Sequence, residues 1–552
     1  MKAWLIEWLA YDAERPLLFT QLYFWGFFAL VLGVYSLVYR QKALRNAFLF
    51  LVSLFFYYKT SGLFLFILLF STAVDFGIGH AIYRSKRKSI AQLWVALSVT
   101  INLLVLGYFK YAYFVTDFLN THFALGLTPM NHFAWWSNQW LGTDFVFDRI
   151  MLPVGISFFT FQTISYSVDI YRGHIQPVKS PLDFGFYVSF FPQLVAGPIV
   201  RASEFIPQLY KDYSLDRKTF GMALFWILNG LLKKVLLADY LAVNFVDRVF
   251  DNPSLYSGFE NMMALFGYSL QVYADFSGYT DIAIGVALLL GFQLPINFNS
   301  PYKASSVGEF WKRWHISLST WLQDYLYIPI GGNRGGSAFS YGAIVVVMIA
   351  SAILSGSWWL PVIMALVLLG FSFGSAYSSR FRLWMEHNIN LMLTMLLGGL
   401  WHGSSWNFVI WGGLNGLGLV VYKMWKKISP WGDKSKWYFR AWGIALTFTF
   451  ITFTRTWFRN ESFDKALLML RRIGSSFQVE LAAEVVTATW SVFAMMALGM
   501  VIHWLPSTWK NAYREKFASA HWSMQLVLSM IAIVIAYQVL SADLQPFIYF
   551  AF

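Results

Sequence analysis

Long apolar runs recur along this chain, separated by short clusters of lysine and arginine. A helix needs about 20 apolar residues to cross a bilayer, and a water-soluble domain has no use for so many such runs. Candidate spans are 22–39, 46–58, 63–82, 91–109, 152–168, 183–200, 219–238, 261–274, 277–292, 341–355, 358–376, 390–400, 405–422, 440–458, 486–505 and 524–540. Charged residues make up 12% of the chain against about 25% in a soluble average, too few to cover a water-facing surface. The fold expected is therefore an all-α polytopic membrane protein. Aromatics at 20% supply material for interfacial belts. Several runs are too short to span and predict broken or re-entrant helices around an internal cavity, where protein or water satisfies the freed backbone. One integral-membrane unit is expected over 1–552: amino-terminal spans and an external loop in 1–150, a core in 151–425, and carboxy-terminal spans in 426–552.

The charge balance, 41 Lys+Arg against 28 Asp+Glu, gives +13. In a soluble chain that would suggest nucleic acid. Here the basic residues sit between apolar runs, so they read as topology signals and no nucleic-acid partner is expected. Arg40, Lys42 and Arg45 form one cluster, and Arg84, Lys86, Arg87 and Lys88 a second. Lys423, Lys426, Lys427, Lys434 and Lys436 form a third, and Lys510, Arg514 and Lys516 a fourth. All four predict the cytoplasmic face. The turn at 60–62 and the charge-poor stretch 111–150 then face outward, the latter as a small external cap, and both termini lie outside. Glu7, Asp12 and Glu14 interrupt the amino terminus, which does not read as a cleaved signal peptide. The absence of cysteine excludes disulfides, cysteine-ligated metal and a cysteine acyl-enzyme.

A polar side chain inside such a run costs roughly a few kcal/mol and marks a functional site by default. Five regions qualify. The stretch 153–172 leads through small polar residues to Tyr166, Asp169, Tyr171 and Arg172; its plain reading is a packing face. The stretch 191–201 carries Pro192 and Pro198 and ends at Arg201, an interfacial anchor if the segment is only a kinked helix end. In 273–285, Asp275 and Asp281 do not share a helical face. Holding a backbone break at Gly278 suits them better than paired acid–base work. The richest stretch runs from Asn297 to Gly336. It is too charged for a span and too aromatic for a solvated loop, so it reads as an amphipathic helix at or dipping below the interface. Its closing Gly331-Gly332-Asn333-Arg334-Gly335-Gly336 lacks the ending of a phosphate-binding loop and reads better as a tight turn. The fifth region is Gly398–Asn407, where His402 is expected to open a helix rich in Gly412, Gly413, Gly416 and Gly418. At a helix amino terminus inside a bilayer, burial and the dipole would both keep its ring neutral and able to accept a proton.

Of the nine histidines, His80, His122, His132, His174, His387, His503 and His521 lie near span ends or in loops and read as interfacial or packing residues. His315 and His402 stand out because tryptophans and small polar residues crowd both. Neither belongs to a metal-ligand spacing, and no metal is expected.

These motifs together resemble the membrane-bound O-acyltransferase family. The residues that carry the resemblance are Pro153-Val-Gly-Ile-Ser-Phe-Phe-Thr-Phe-Gln162, Phe191-Pro-Gln-Leu-Val-Ala-Gly-Pro198, Tyr273-Ala-Asp-Phe-Ser-Gly-Tyr279, Phe310-Trp-Lys-Arg-Trp-His-Ile-Ser-Leu-Ser319 and Leu400-Trp-His-Gly403. The likeness runs over essentially the whole chain, down to Gln545-Pro-Phe-Ile-Tyr-Phe550, and is greatest to the bacterial branch that acetylates exported polysaccharides such as alginate. It implies a bundle of transmembrane and re-entrant helices around a membrane-crossing tunnel in the bacterial inner membrane. His402 matches the family's invariant histidine, and His315 its second, more variable site. An acyl thioester such as acetyl-CoA would arrive from the cytoplasm and an acceptor hydroxyl from the other face. No permanently bound cofactor is implied. A periplasmic partner of the SGNH transferase or esterase type, an exported polysaccharide and membrane lipid are the partners implied. One departure is a long apolar insertion between Gly336 and Leu397, expected as an extra helical hairpin at about 338–380.

On this reading His402 takes the proton of the acceptor hydroxyl as it attacks the thioester. His315 hydrogen-bonds the carbonyl oxygen or positions the acceptor. Arg313, Lys312 and Arg334 are candidates for steering the phosphates of coenzyme A, with positive-inside topology as the alternative. Ser404 and Ser405 keep a covalent acyl-serine route open beside an acyl-histidine one. Two rival functions remain: an acyl-group conduit or transporter without its own chemistry, and O-acylation of a lipid or protein.

Overall fold

The computed structural model describes residues 9–12, 16–142, 146–429 and 436–540, and no strand occurs among them. Glu7, Glu14, Lys434 and the 545–550 motif lie outside the described residues.

Helices α1 (Leu22–Val38), α2 (Lys42–Ser61), α3 (Leu65–Arg84) and α4 (Lys88–Phe123) open the chain. Helix α4 continues through Lys110 to Phe123, well beyond the expected 91–109. The first part of the presumed external cap is thus helix, and a short exposed helix at His132–Leu141 makes up much of the rest. Helix α5 (Ile156–Tyr171) is almost wholly buried against α3 and α4. Two of its small polar residues, Thr163 and Ser167, join one network. Buried Asp75 accepts from Ser98 Oγ (2.5 Å), Asn102 Nδ2 (2.6 Å) and Ser167 Oγ (3.3 Å). Ser71 and Thr163 donate to Asn102 Oδ1 at 2.9 and 3.0 Å. The packing-face reading of 153–172 holds for these residues. The run 183–200 is no span: it folds into short buried helices at Pro181–Ser189 and Phe191–Leu194, broken where Pro192 follows Phe191.

Helix α6 (Arg217–Leu232) passes into π-helical turns at Lys233–Asp239 and Ala242–Val246. It crosses α7 (Gly258–Leu289), which runs unbroken through Gly278. The expected break is absent because Gly278 serves a close approach instead. A Cβ at Gly230 would stand 2.4 Å from the carbonyl oxygen of Gly278, so only glycine lets the two backbones meet there. Asp275 and Asp281 hold charges rather than a break. Lys234 Nζ lies 2.6 Å from Asp275 and 2.7 Å from Asp239, and Lys233 Nζ lies 2.6 Å from Asp281.

Helix α8 (Ile316–Leu322) is short and leads into a π-helical turn at Gln323–Tyr327. The insertion is a helical hairpin, α9 (Ala338–Ser355) and α10 (Trp359–Tyr377), pinned at its base to α11 (Ser379–His402). Ser340 Oγ donates to Asn390 Oδ1 (2.7 Å), and Tyr341 Oη to Glu386 Oε1 (2.6 Å). The apolar faces of α9 and α10 point outward at Val346, Ile349, Leu366 and Phe373, as lipid-facing surface requires. Helices α12 (Trp406–Ile428), α13 (Trp437–Arg459), α14 (Trp490–Trp504) and α15 (Trp522–Leu540) complete the bundle.

Among the described residues, four continuous helical stretches are long and apolar enough to cross a bilayer: Lys42–Arg84, Lys88–Phe123, Arg217–Asp251 and Trp359–Tyr377. Two further pairs qualify together but bend, by 90° between Val479–Ala488 and Trp490–Trp504 and by 116° between Ser507–Ser519 and the helix from Trp522. Bent and shortened helices packed against spanning ones match the broken architecture expected from the short runs.

Candidate functional site

The structure brings His315 and His402 together. Both are buried, and their ring centroids stand 6.4 Å apart. His402 does not open a helix: it is the last residue of α11, and Gly403 at φ −160° and ψ 155° leaves the helix before Ser405 caps α12. The dipole at a helix carboxyl end favours a cation, so it gives no support to a neutral ring, and that part of the sequence reading is reversed.

A buried lysine satisfies this helix end. Lys110 Nζ, from α4, donates to Trp401 O (2.5 Å) and His402 O (3.3 Å), and Tyr111 Oη donates to Leu400 O at 2.8 Å. Terminal carbonyls that would otherwise stand unpaired inside the protein thereby find donors. On the far side, α11 and α12 meet at Gly399 and Gly412, where a Cβ on Gly399 would come within 2.3 Å of Phe408 O. Aromatic edges box the imidazole: Trp401 at 4.9 Å, Trp411 at 5.0 Å and Phe458 at 5.5 Å between centroids.

His315 is held differently. Its backbone is left-handed (φ 44°, ψ 55°) at the start of α8. Non-glycine residues rarely adopt this conformation and keep it only where surroundings impose it. Asn297 imposes it here. Ile316 N donates to Asn297 O (3.0 Å), while Ser317 N and Ser317 Oγ donate to Asn297 Oδ1 (3.1 and 3.0 Å). His315 Nδ1 lies 3.3 Å from the same oxygen. An atom receiving two other donors is an acceptor, so this contact places the imidazole proton on Nδ1 and leaves Nε2 the proton-accepting nitrogen.

The first and second polar regions close around these residues. Trp321 stacks on Phe161 at 3.7 Å with rings 3° from parallel, and Phe161 on Trp401 at 5.3 Å. Ile199 N donates to Ser317 Oγ (3.0 Å). Tyr325 Oη donates to Asp169 Oδ2 (2.8 Å), and Arg201 is not a free anchor but pairs with Asp324 at 2.5 Å.

Two hollows stand out, one of them lined by His402. One, with room of about 20 Å³, is lined by His402, Trp411, Asn415, Arg455, Phe310 and Trp314 among others. The second is a groove of about 620 Å³ between α12, α13 and Ser305–Val307, with Lys426 and Arg440 in its lining. Residues close in sequence line the two: Val307 and Phe450 line the groove, and Phe310 and Ile451 the His402 hollow.

The proposed phosphate-steering residues are spread out. Arg313 is committed to Glu309 (2.8 Å) and to Asn299 O (3.1 Å), and Lys312 is exposed. Arg334 is exposed in a different turn, and among the described residues no hydrogen bond or ion pair links it to either. The glycine-rich stretch is indeed a tight turn: Gly331 and Gly332 have φ of 124° and 53°, and Asn390 Nδ2 donates to Gly332 O (3.1 Å) and Gly335 O (2.8 Å). Lys110, Arg455 and Asp75 escaped the sequence reading. Each is a single charge inside or at the edge of an otherwise apolar run, and that was the signal available.

Residues 105–385 match the family model of the membrane-bound O-acyltransferase (MBOAT) family. The chain is 37% identical to a probable alginate O-acetylase of Azotobacter vinelandii over 72% of its own length and 66% of that protein. It is 34% identical to a peptidoglycan O-acetyltransferase of Helicobacter pylori over 81% of its own length and 76% of that protein. A teichoic acid D-alanyltransferase of Bacillus subtilis is 25% identical over 54% of this chain and 67% of that protein. The chain belongs to the membrane-bound O-acyltransferase family and is a multi-pass membrane protein. The likeness is less than chain-long, as the shares show, and the chain spans just under two thirds of the Azotobacter relative. The family match takes in His315 and ends before His402.

Proposed function

We propose that this protein is a membrane O-acyltransferase. It would move an acyl group, acetyl in the simplest case, from a cytoplasmic thioester to a hydroxyl of an exported polysaccharide, or to a periplasmic partner of the SGNH type that completes the transfer. One observation carries the proposal: two buried imidazoles, far apart in sequence, stand 6.4 Å apart with a hollow beside one of them. The relatives described as O-acetyltransferases support the reaction class.

His402 is the general base. Its ring takes the proton of the acceptor hydroxyl while the hydroxyl oxygen attacks the thioester carbonyl. His315, with its proton on Nδ1, offers Nε2 as an acceptor to a neighbouring hydroxyl of the acceptor molecule, since the attacking hydroxyl gives its one proton to His402; hydrogen-bonding a carbonyl oxygen would need a proton on that nitrogen. The groove between α12 and α13 has the size of a small-molecule site and is the proposed berth for the thioester arm, with Lys426 and Arg440 available to its phosphates beside the earlier candidates Lys312, Arg313 and Arg334. Acetyl-CoA is the proposed donor, and the bacterial inner membrane the proposed location.

Purified protein given acetyl-labelled CoA and a hydroxyl acceptor should release free CoA and label the acceptor. His402→Ala should lower that rate by about 10²–10⁴, the usual worth of a positioned base, while remaining folded and membrane-inserted. Near-normal transfer by His402→Ala would remove the mechanism. Passage of label across a vesicle with the thioester intact would instead make the protein a conduit.

A further inference from the structure

The hollow beside His402 contains a charge to which acyl transfer has so far given no task. Arg455, on α13, is buried and lines the hollow together with His402 and Asn415. Its guanidinium lies 4.7 Å from the Trp314 ring and 5.3 Å from the Tyr302 ring. Nη1 donates to Tyr302 Oη (2.7 Å) and Ser269 O (3.3 Å), and among the described residues its protein hydrogen bonds all fall on that nitrogen. Several other buried or half-buried cations have carboxylates: Arg459 has Asp247 at 2.9 Å, Arg313 has Glu309, Lys233 has Asp281 and Lys234 has Asp275, while Lys110 has the carbonyls of Trp401 and His402 instead. Among the described residues no carboxylate stands within 4.0 Å of Arg455. A buried cation without a counter-charge is costly and persists where something negative visits it. Room of about 20 Å³ admits a single oxygen-sized group rather than a sugar or a nucleotide.

We propose that Arg455 is a catalytic residue that receives the oxyanion of the tetrahedral intermediate. This rests on the acyl-transfer reading and assigns the group it lacked, because His315 with its proton on Nδ1 has no N–H to offer a carbonyl oxygen. In the step, the acceptor hydroxyl oxygen bonds to the thioester carbonyl carbon, its proton passes to a ring nitrogen of His402, and the carbonyl π pair moves onto oxygen. The free N–H groups of Arg455 bind that oxygen, where charge develops among buried side chains. As the carbonyl re-forms, the C–S bond breaks, and the thiolate takes the proton back from the imidazolium. An ester and a free thiol result.

The test compares purified full-length wild type with R455M, R455K and Y302F, using acetyl-CoA as donor. R455M should lower kcat by about 10²–10³ with KM for acetyl-CoA little changed, the signature of an interaction made only in the transition state. R455K, which keeps the charge but loses the planar fork, should fall between. Y302F removes the hydroxyl that holds the guanidinium but leaves the charge, and should lower kcat less than R455M does. Folded R455M with kcat within about threefold of wild type would overturn the assignment and leave acyl transfer standing. So would equal losses in all three variants tracking a lowered thermal midpoint, which would make Arg455 a packing residue. If R455M does not fold, R455K against Y302F makes the same comparison. Wild type that cleaves no thioester would fail the acyl-transfer reading itself.

Discussion

Lys110 fixes an imidazole that is distant in sequence. Its ammonium binds the carbonyls of Trp401 and His402, so the position of the histidine depends on a side chain from another helix. Lys110→Met keeps the length of the side chain and removes the donor, leaving two carbonyls at a buried helix end unpaired. Each unsatisfied buried group costs about 1–3 kcal/mol, so the thermal midpoint in detergent should fall. Transfer should fall further than this loss of stability explains, because His402 is released from its place; unchanged transfer at a temperature where the variant is folded would refute the link. His402 and His315 were legible in the sequence because several polar and aromatic neighbours crowd each. Lys110 was not, because it closes an apolar run and resembles the first residue of a loop. Arg455 was hidden similarly, among Thr452, Thr454 and Thr456 in a run that reads as a span. The structure exposes both by showing what each lone charge touches. The helix end that bears His402 was misjudged for a local reason: glycines follow the histidine in both Gly403 and the α12 stretch, and sequence does not say on which side of Gly403 the helix stops.

At the scale of elements, the α6–α7 crossing joins the two devices by which charge is kept within an apolar bundle. Glycines at 230 and 278 bring the backbones together, and close beside them Lys233 and Lys234 meet Asp281 and Asp275. The sequence showed the carboxylates but not their partners, since the lysines lie at the end of another helix and pairing across helices is set by packing. Gly278 suggested a break on helix propensity. Tertiary contact overrode it, because a glycine facing Gly230 stabilises the crossing more than it weakens its own helix. Lys234→Met removes the ammonium that joins Asp275 and Asp239 in a buried site. Removing one partner of a buried pair typically costs about 3–5 kcal/mol. We expect the variant to lose most of its monodisperse folded fraction by size-exclusion chromatography, and K234M with both aspartates changed to asparagine to recover part of it. Wild-type stability for K234M alone would mean that the pairs carry no structural weight.

For the whole molecule, the question is which face each end of the bundle presents. Helix α4 has 36 residues and is about 54 Å long at 1.5 Å per residue, longer than the ~30 Å hydrocarbon layer and long enough to set its two ends on opposite sides of the membrane. Its start carries Arg87 and Lys88. Two of the four cation clusters predicted for one face, the first and the fourth, are tied to the same stretch of chain at 211–218. Arg45 Nη1 donates to Lys211 O (3.0 Å), Lys42 pairs with Asp212 (2.9 Å), and Lys218 pairs with Glu515 (2.7 Å) beside Arg514 and Lys516. The first and fourth clusters therefore share one end of the bundle, an agreement that sequence alone had no means to check. Positive residues concentrate on the cytoplasmic side, so we predict that this end and the start of α4 are cytoplasmic and that the end of α4 lies outside. The chain has no cysteine, so single cysteines report cleanly. Cysteines replacing Arg87 and Lys516 should react with a membrane-impermeant maleimide only after the inner membrane is opened. One replacing Leu125, just beyond α4 and 55% exposed, should react in spheroplasts with that membrane intact. Labelling of all three from the same side would contradict a spanning α4. The exchanged pattern would invert the protein, and the donor groove beside Lys426 and Arg440 would then open away from the cytoplasmic thioester pool on which the proposed reaction depends.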